Sequence, residues 1–327
     1  MPIRKTVANF CRFTVHAGGR FVTDPTRLGA LFRDFADIRS TPSLEKTVNL
    51  IRSFRINIED VDYLDTGGVN MTAKGIWYIH YSDKDRPATQ KFTIMHELFE
   101  VIHKNFTSLY PDYEPLKEPQ LSQFADRFAA AALIPPRFFL KQVNQTGCDL
   151  VKLSEELELS HQCLLIALGQ HVTDFPIVGV LYEYQPKDHT TASADINDFV
   201  ATVVVKTGRT RRIKELCWLQ SVPLRNSRPQ ISSLVCAAVN SGSPLLYRSN
   251  NVEDSPAVLV RPLLSSGKEP YRVILVAVPN ETFDMISSQV DRIEPIHVNG
   301  DIACPSVEKC QVSEGCIWKM AGGNYEQ

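Results

Sequence analysis

The sequence predicts an α+β protein of two domains, because apolar residues recur at helical spacing in its first half and form strand-like runs in its second. At 327 residues, the chain is longer than one ordinary domain of about 150 residues. A hydrophobic fraction of 43% and a formal net charge of -2 are typical of globular proteins. The overall charge therefore gives no reason to expect a nucleic-acid or membrane partner.

The sequence carries no evident membrane or export segment. Residues 1–10 are charged but lack the apolar stretch of a signal peptide. The longest apolar run, at residues 273–278, has the length of a strand and falls far short of the about 20 residues that a membrane span needs. We therefore expect a cytoplasmic protein without a membrane partner. Its eight cysteines should be thiols or ligands rather than disulfides.

The first part of the chain predicts helices around one short strand. Residues 1–42, treated as an N-terminal extension, contain apolar residues at helical spacing between Leu28 and Phe35. Ser43 has the character of an N-cap for a helix that ends near residue 54. Residues 57–73 are rich in turn formers, whereas residues 75–81 are apolar and rich in strand formers.

Two longer helices follow, separated by a proline-rich loop at residues 107–119. The first is expected to begin at Phe92, and its buried face follows the helical period. The second is expected over residues 119–134, where an alanine run leaves room for close helix approach and Pro135-Pro136 ends the helix. These two helices carry most of the residues that point to a chemical function.

Three residues that bind metals in other proteins lie on one stripe of the first long helix. His96, Glu100 and His103 stand at positions i, i+4 and i+7, so neighbouring side chains project side by side and could share a metal ion. Glu97 lies on the next stripe, where the general base of a helical metallopeptidase motif is found. The alternative is an amphipathic helix whose polar side happens to hold His and Glu.

The context of this helix resembles the ImmA/IrrE metallopeptidase family. Residues 90–98, Gln-Lys-Phe-Thr-Ile-Met-His-Glu-Leu, closely resemble the family's Arg-Phe-Thr-x-Ala-His-Glu-Leu. Residues 125–135 resemble its second signature, and the helical pair at 151–171 resembles its helix-turn-helix-like segment. The resemblance implies a zincin-like, mostly helical metallopeptidase domain with a short sheet, which we place at residues 43–175.

The same resemblance implies a zinc site and shows where this chain departs from it. Glu97 would be the catalytic base, and His96 with Glu100 would hold the metal. Glu100 stands where the family has its second histidine, and Ser122 stands where it has a glutamate as third ligand. His103, Glu118 or Asp126 could complete the set. Metal-dependent hydrolysis and binding without hydrolysis both stay open.

The second half predicts a separate α+β domain over residues 176–296. Strands are expected at four places and helices at two: strands at 177–184, 199–206, 257–263 and 271–279, helices at 232–240 and 281–292. In the IrrE branch of the family, a GAF-like sensor domain follows the peptidase domain. Residues 243–279 are similar to the end of such a domain, which implies that it senses a small molecule or redox state.

The resemblance implies a bacterial stress or mobile-element regulator that cleaves or binds a helix-turn-helix repressor. The alternative is a catalytically inactive sensor or binding protein. We do not expect the helical pair at 151–171 to bind nucleic acid, because its second helix has neither Lys nor Arg. If the protein contacts nucleic acid directly, we expect the contact at the basic run from Lys206 to Lys214. The alternative is that this run is an ordinary solvated loop.

The final segment, residues 297–327, contains three evenly spaced cysteines. Cys304, Cys310 and Cys316 recur at steps of six residues. Thiolates in a cytoplasmic tail could hold an iron–sulfur cluster or form a redox switch, and ordinary thiols are the alternative.

If these cysteines hold a cluster, anaerobically purified protein should show visible absorbance and contain iron. Changing Cys304, Cys310 or Cys316 to Ser should remove that absorbance, because each change removes a thiolate ligand. Cys163→Ser is the control, since this cysteine lies outside the tail. A colourless, iron-free preparation of the unaltered protein would contradict the cluster.

Overall fold

The structure is a computed structural model. It describes residues 5–18, 24–146, 149–172, 177–185, 198–206, 235, 238–239, 242–248, 256–264, 270–279 and 296–299. The chain forms two compact units, one of residues 1–141 with 152–167 and one of residues 142–151 with 168–327. Helices and sheets occur together, which confirms the α+β class. No helix within the described ranges is long and apolar enough to cross a membrane.

The described helices are, in chain order, α1 Val7–Gly18, α2 Pro25–Ala36, α3 Leu44–Ser53, α4 Pro87–Leu109, α5 Gln120–Leu133, α6 Pro136–Thr146, α7 Leu150–Leu157 and α8 His161–His171. The described strands are β1 Ile56–Val61, β2 Gly68–Ala73, β3 Ile76–Ser82, β4 Val178–Tyr184, β5 Phe199–Lys206, β6 Leu245–Arg248, β7 Pro256–Leu264, β8 Pro270–Pro279 and β9 Ile296–Asn299. The expected strands β3, β4, β5, β7 and β8 are present within one residue of their predicted limits.

The first unit contains a three-stranded sheet in the order β1-β3-β2. Strand β3 lies in the middle, parallel to β1 and antiparallel to β2. The turn formers of residues 57–73 did not predict strands, yet most of β1 and all of β2 lie there. Both are edge strands with few buried side chains, so polar residues that suggest turns can occupy them.

Helix α4 is longer than the apolar pattern predicted. It begins at Pro87 instead of Phe92 and continues to Leu109, three residues into the expected loop. Proline suits the first turn of a helix, because that turn leaves its N–H groups without partners in the helix. Ser43 accepts a hydrogen bond from the Lys46 N–H at 3.3 Å, which confirms it as the N-cap of α3.

The core of the first unit is aromatic and reaches back to the first two helices. The Phe32 ring lies 5.4 Å from that of Phe10, 5.3 Å from Phe54 and 5.7 Å from Phe128, measured between centroids. Phe99 of α4 lies 5.5 Å from Phe128 of α5 in the same way. Helices α1, α2, α4 and α5 therefore share one apolar core.

Among its described residues, the second unit is built on a six-stranded sheet in the order β5-β4-β8-β7-β6-β9. Neighbouring strands are antiparallel except β6 and β9, which are parallel. Consecutive residues 178–182 of β4 and 273–278 of β8 are buried, so both faces of the central strands are covered. Of the expected helix at 232–240, the structure describes residues 235, 238 and 239, which are helical; residues 281–292 lie outside the described part.

Helices α2 and α5 touch through their backbones at Gly29. A methyl group added there would lie 2.7 Å from the Ala131 Cβ and 2.8 Å from the Phe128 carbonyl oxygen. Gly29→Ala should therefore lower the free energy of unfolding, since overpacking costs about 1–3 kcal/mol and exceeds the gain of less than about 1 kcal/mol in helix propensity. Urea unfolding checks this. The double change with Ala131→Gly should recover part of the loss, and full stability of Gly29→Ala would contradict the close contact.

Candidate functional site

The predicted metal-ligand pair lies together on α4. The His96 Nε2 atom is 3.9 Å from the Glu100 Oε1 atom, as expected for side chains four residues apart on one face of a helix. Both side chains are about one-fifth exposed, so solvent reaches them. The region that they share with α5 and β2 is called the cleft below. This arrangement places one imidazole nitrogen and one carboxylate oxygen side by side.

Asp126 of α5 fixes the orientation of the His96 ring. The His96 Nδ1–H donates to the Asp126 Oδ1 atom at 2.9 Å, while the Gln162 side-chain amide donates to the other carboxylate oxygen at 3.3 Å. Because Nδ1 is engaged, Nε2 is the nitrogen turned toward Glu100. Histidines that ligate metals are commonly oriented by a carboxylate in this way. Asp126 therefore supports His96 instead of completing the ligand set.

Strand β2 borders the cleft on the opposite side through Asn70. Its side-chain amide nitrogen donates to the Glu97 Oε2 atom at 2.6 Å and to the Glu100 Oε2 atom at 2.8 Å. Gly68 makes this approach feasible, because a Cβ there would meet the Thr93 Cγ2 atom at 2.6 Å and the Glu97 Cγ atom at 3.2 Å. Sequence reasoning missed Asn70, since the segment was interpreted as turns.

Burial shapes the acid–base character of Glu97. Its side chain is buried, and burial is the main cause of a raised Glu97 pKa. The charge of Glu100 raises this pKa further, while the hydrogen bond from Asn70 opposes the shift. A carboxylate whose pKa is raised toward neutrality is suited to accept and return a proton.

The pKa of His96 is also raised. Burial of the ring lowers it, but the hydrogen bond to Asp126 and the negative charges of the surrounding carboxylates outweigh burial. The cleft therefore stabilises the charged form of His96 more than water does.

The remaining candidate ligands do not reach the pair. The His103 Nε2 atom accepts the Leu116 N–H at 2.9 Å, and the buried ring stacks on Phe99. Burial lowers the pKa of His103, which favours the neutral ring that this bond requires. Glu118 is exposed on the loop before α5, and Ser122 lies one turn before Asp126 on α5.

These residues do not fit a catalytic zinc centre. Such a centre takes three protein ligands and one open position. His96 and Glu100 supply two donor atoms, and Ser122 offers a neutral hydroxyl where a carboxylate would be needed. Among the residues that the structure describes, no three His, Cys, Asp or Glu side chains form a group that could hold a metal ion. Metal binding by His96 and Glu100 alone stays a prediction.

The other predicted sites lie partly or wholly outside the described residues. Residues 163–168 of α8 are all buried, so this helix does not present that stretch to a nucleic-acid groove. Lys206 is exposed at the end of β5, and the rest of the basic run to Lys214 lies outside the described part. So do Cys304, Cys310 and Cys316.

The segment that carries the cleft matches a known family. Residues 50–168 match the family model of the IrrE N-terminal-like domain, Peptidase_M78. This segment is an IrrE N-terminal-like domain. The match includes Asn70, the His96 helix and Asp126, and it confirms the predicted resemblance to the ImmA/IrrE family.

The fold of the chain as a whole also has a solved relative. A transcriptional regulator from Mycobacterium tuberculosis has a similar structure, with a TM-score of 0.57 and 12% sequence identity. The similarity covers 92% of this chain and 89% of that chain, so it extends beyond the IrrE-like domain. At this identity the similarity concerns the fold alone. No curated protein matches the chain.

We expect Asp126→Asn to lower the pKa of His96 in the IrrE-like domain, because it removes the negative charge and leaves a neutral, weaker acceptor for the His96 Nδ1–H. A raised folded-state pKa contributes stability below the unfolded value of about 6.5, and this contribution is lost as pH rises through the folded pKa. The Asp126→Asn variant should lose this contribution to stability. NMR titration of the His96 ring checks the pKa; Gln162→Leu, which leaves the Asp126 charge in place, is the control. An unchanged His96 pKa in Asp126→Asn would refute this account.

Proposed function

We propose that this chain is a bacterial transcription regulator of the ImmA/IrrE type, which binds a helix-turn-helix repressor through the α4–α5 cleft without cleaving it. The IrrE N-terminal-like domain supports the family, and the fold shared with a transcriptional regulator is consistent with a regulatory role. Binding would control genes of the stress response or of a mobile element. The proposal places the protein in the cytoplasm, beside its repressor.

One observation carries the choice of binding over hydrolysis. The cleft keeps the oriented His96–Asp126 pair and the buried Glu97, while the family resemblance aligns Ser122 with the family's third metal ligand. A neutral hydroxyl ionises too weakly near neutral pH to replace a carboxylate on zinc. A groove formed by helix packing can still bind a polypeptide after the metal ligands have been lost, because its shape does not depend on the metal.

We propose in addition that the second unit is a GAF-like sensor that receives a small-molecule signal. The Tyr182 hydroxyl supports this role: it is fully buried in β4 and finds no hydrogen-bond partner in the described structure. Burial also raises the pKa of Tyr182, so the hydroxyl stays a protonated donor. A bound molecule with an acceptor atom would satisfy it. An iron–sulfur cluster on the cysteine tail would allow the protein to respond to a second, redox signal.

The test is to mix the purified full chain with the helix-turn-helix repressors of its host and to measure binding and cleavage together. We expect a complex with one repressor and an intact repressor by mass spectrometry. Glu97→Gln should bind equally well, because Glu97 has no reaction to catalyse. Cleavage that disappears in Glu97→Gln would show that the unaltered protein is a peptidase.

Restoring the family's ligands supplies the complementary experiment. Glu100→His with Ser122→Glu should bind zinc tightly, because these changes complete the three-ligand set with His96. Adding Glu97→Gln should abolish any cleavage that appears and leave zinc affinity unchanged, since Glu97 acts on water and not on the ion. Zinc content of the purified proteins is the readout. If the unaltered protein bound zinc as tightly as this double variant, the argument that a third ligand is missing would be contradicted.

A further inference from the structure

Lys104 lies one turn after Glu100 on α4 and reaches into the cleft. Its ammonium group is 3.7 Å from the Glu100 Oε2 atom and donates to the Asn70 Oδ1 atom at 2.5 Å. The side chain is 45% exposed, so it reaches the carboxylates from the solvent side. Lys104 was not among the candidate site residues predicted from the sequence.

The Asn70 amide links this cation to both carboxylates. Its nitrogen donates to Glu97 and Glu100, and its oxygen accepts from Lys104. A flipped amide would set its oxygen against two carboxylates and its nitrogen against an ammonium group, so the hydrogen bonds permit one orientation. The amide therefore joins two carboxylates and one ammonium group into a single network.

Two carboxylates that share one amide nitrogen repel each other and need a positive charge beside them. In a metallopeptidase the metal ion brings that charge. We infer that Lys104, held by Asn70, is the built-in cation of this cleft and takes over the electrostatic role of the missing metal. The inference deepens the proposal of binding without hydrolysis and rests on the same lack of a third ligand.

A fixed ammonium group beside Glu100 also disfavours a divalent cation there. The two positive charges would repel each other. Loss of the ammonium should therefore leave the His96 ring, 3.9 Å from Glu100, as the remaining positive partner of the carboxylates described here, and should make the carboxylates more open to a metal ion. Metal binding that increases when Lys104 is lost distinguishes a built-in cation from an ordinary surface ion pair, whose loss has little effect.

The test compares the full-length protein with Lys104→Met, which keeps the apolar stem of the side chain, and with Lys104→Arg, which keeps the charge. Each is melted in EDTA and in excess Mn²⁺, and bound Mn²⁺ is measured by electron paramagnetic resonance. Mn²⁺ is chosen because it favours carboxylate and imidazole over the thiols of the chain. Lys104→Met with Glu100→Gln is the control that the ion binds at this cleft.

We expect Lys104→Met to melt below the unaltered protein in EDTA, to regain stability in Mn²⁺ and to bind Mn²⁺ roughly tenfold more tightly. The unaltered protein and Lys104→Arg should not respond, and Glu100→Gln should remove the response of Lys104→Met. Lack of a Mn²⁺ response in Lys104→Met, or an equal response in the unaltered protein, overturns the inference. Repressor binding by the unaltered protein, measured separately, decides the proposed function independently.

Discussion

The close packing of α4 against α5 is the constraint on which the cleft depends. His96 and Asp126 sit on different helices, and their 2.9 Å hydrogen bond forms because small side chains let the helices approach. The alanines of α5 at residues 129–132 are all fully buried, and Ala131 lies against Gly29 of α2. A hydrogen bond to a charged group contributes about 1.5–3 kcal/mol, but only at the right distance. Helix packing thus sets the distance, and the polar pair follows from it.

Strand β2 holds α4 from the other side. Gly68 allows the strand to come within contact of the helix, and Asn70, two residues later on the same face, meets Glu97 and Glu100. Burying a carboxylate is costly unless it is hydrogen-bonded, and the Asn70 amide offsets that cost for Glu97. The polar groups of the cleft are therefore positioned by helices α4 and α5 and by strand β2.

The parts of the site that could be predicted are local. The spacing of His96, Glu97 and Glu100 follows from helical periodicity, and the alanine run indicated the close approach of α5. Asn70 could not be found, because it lies on an edge strand with a polar sequence and acts across 27 residues. His103 shares the ligand stripe, yet a hydrogen bond to the Leu116 backbone decides its role. Such long-range partners leave no periodic pattern.

The aromatic contacts of α2 have a consequence for dissecting the protein. The family match begins at residue 50, but Phe32 is fully buried against Phe54 and Phe128. The Arg33 guanidinium also donates to the Ile134 carbonyl oxygen at 3.1 Å, at the end of α5. A recombinant fragment trimmed to the family limits would expose this apolar surface and invite aggregation. Fragments meant to retain the cleft should therefore start upstream of α1.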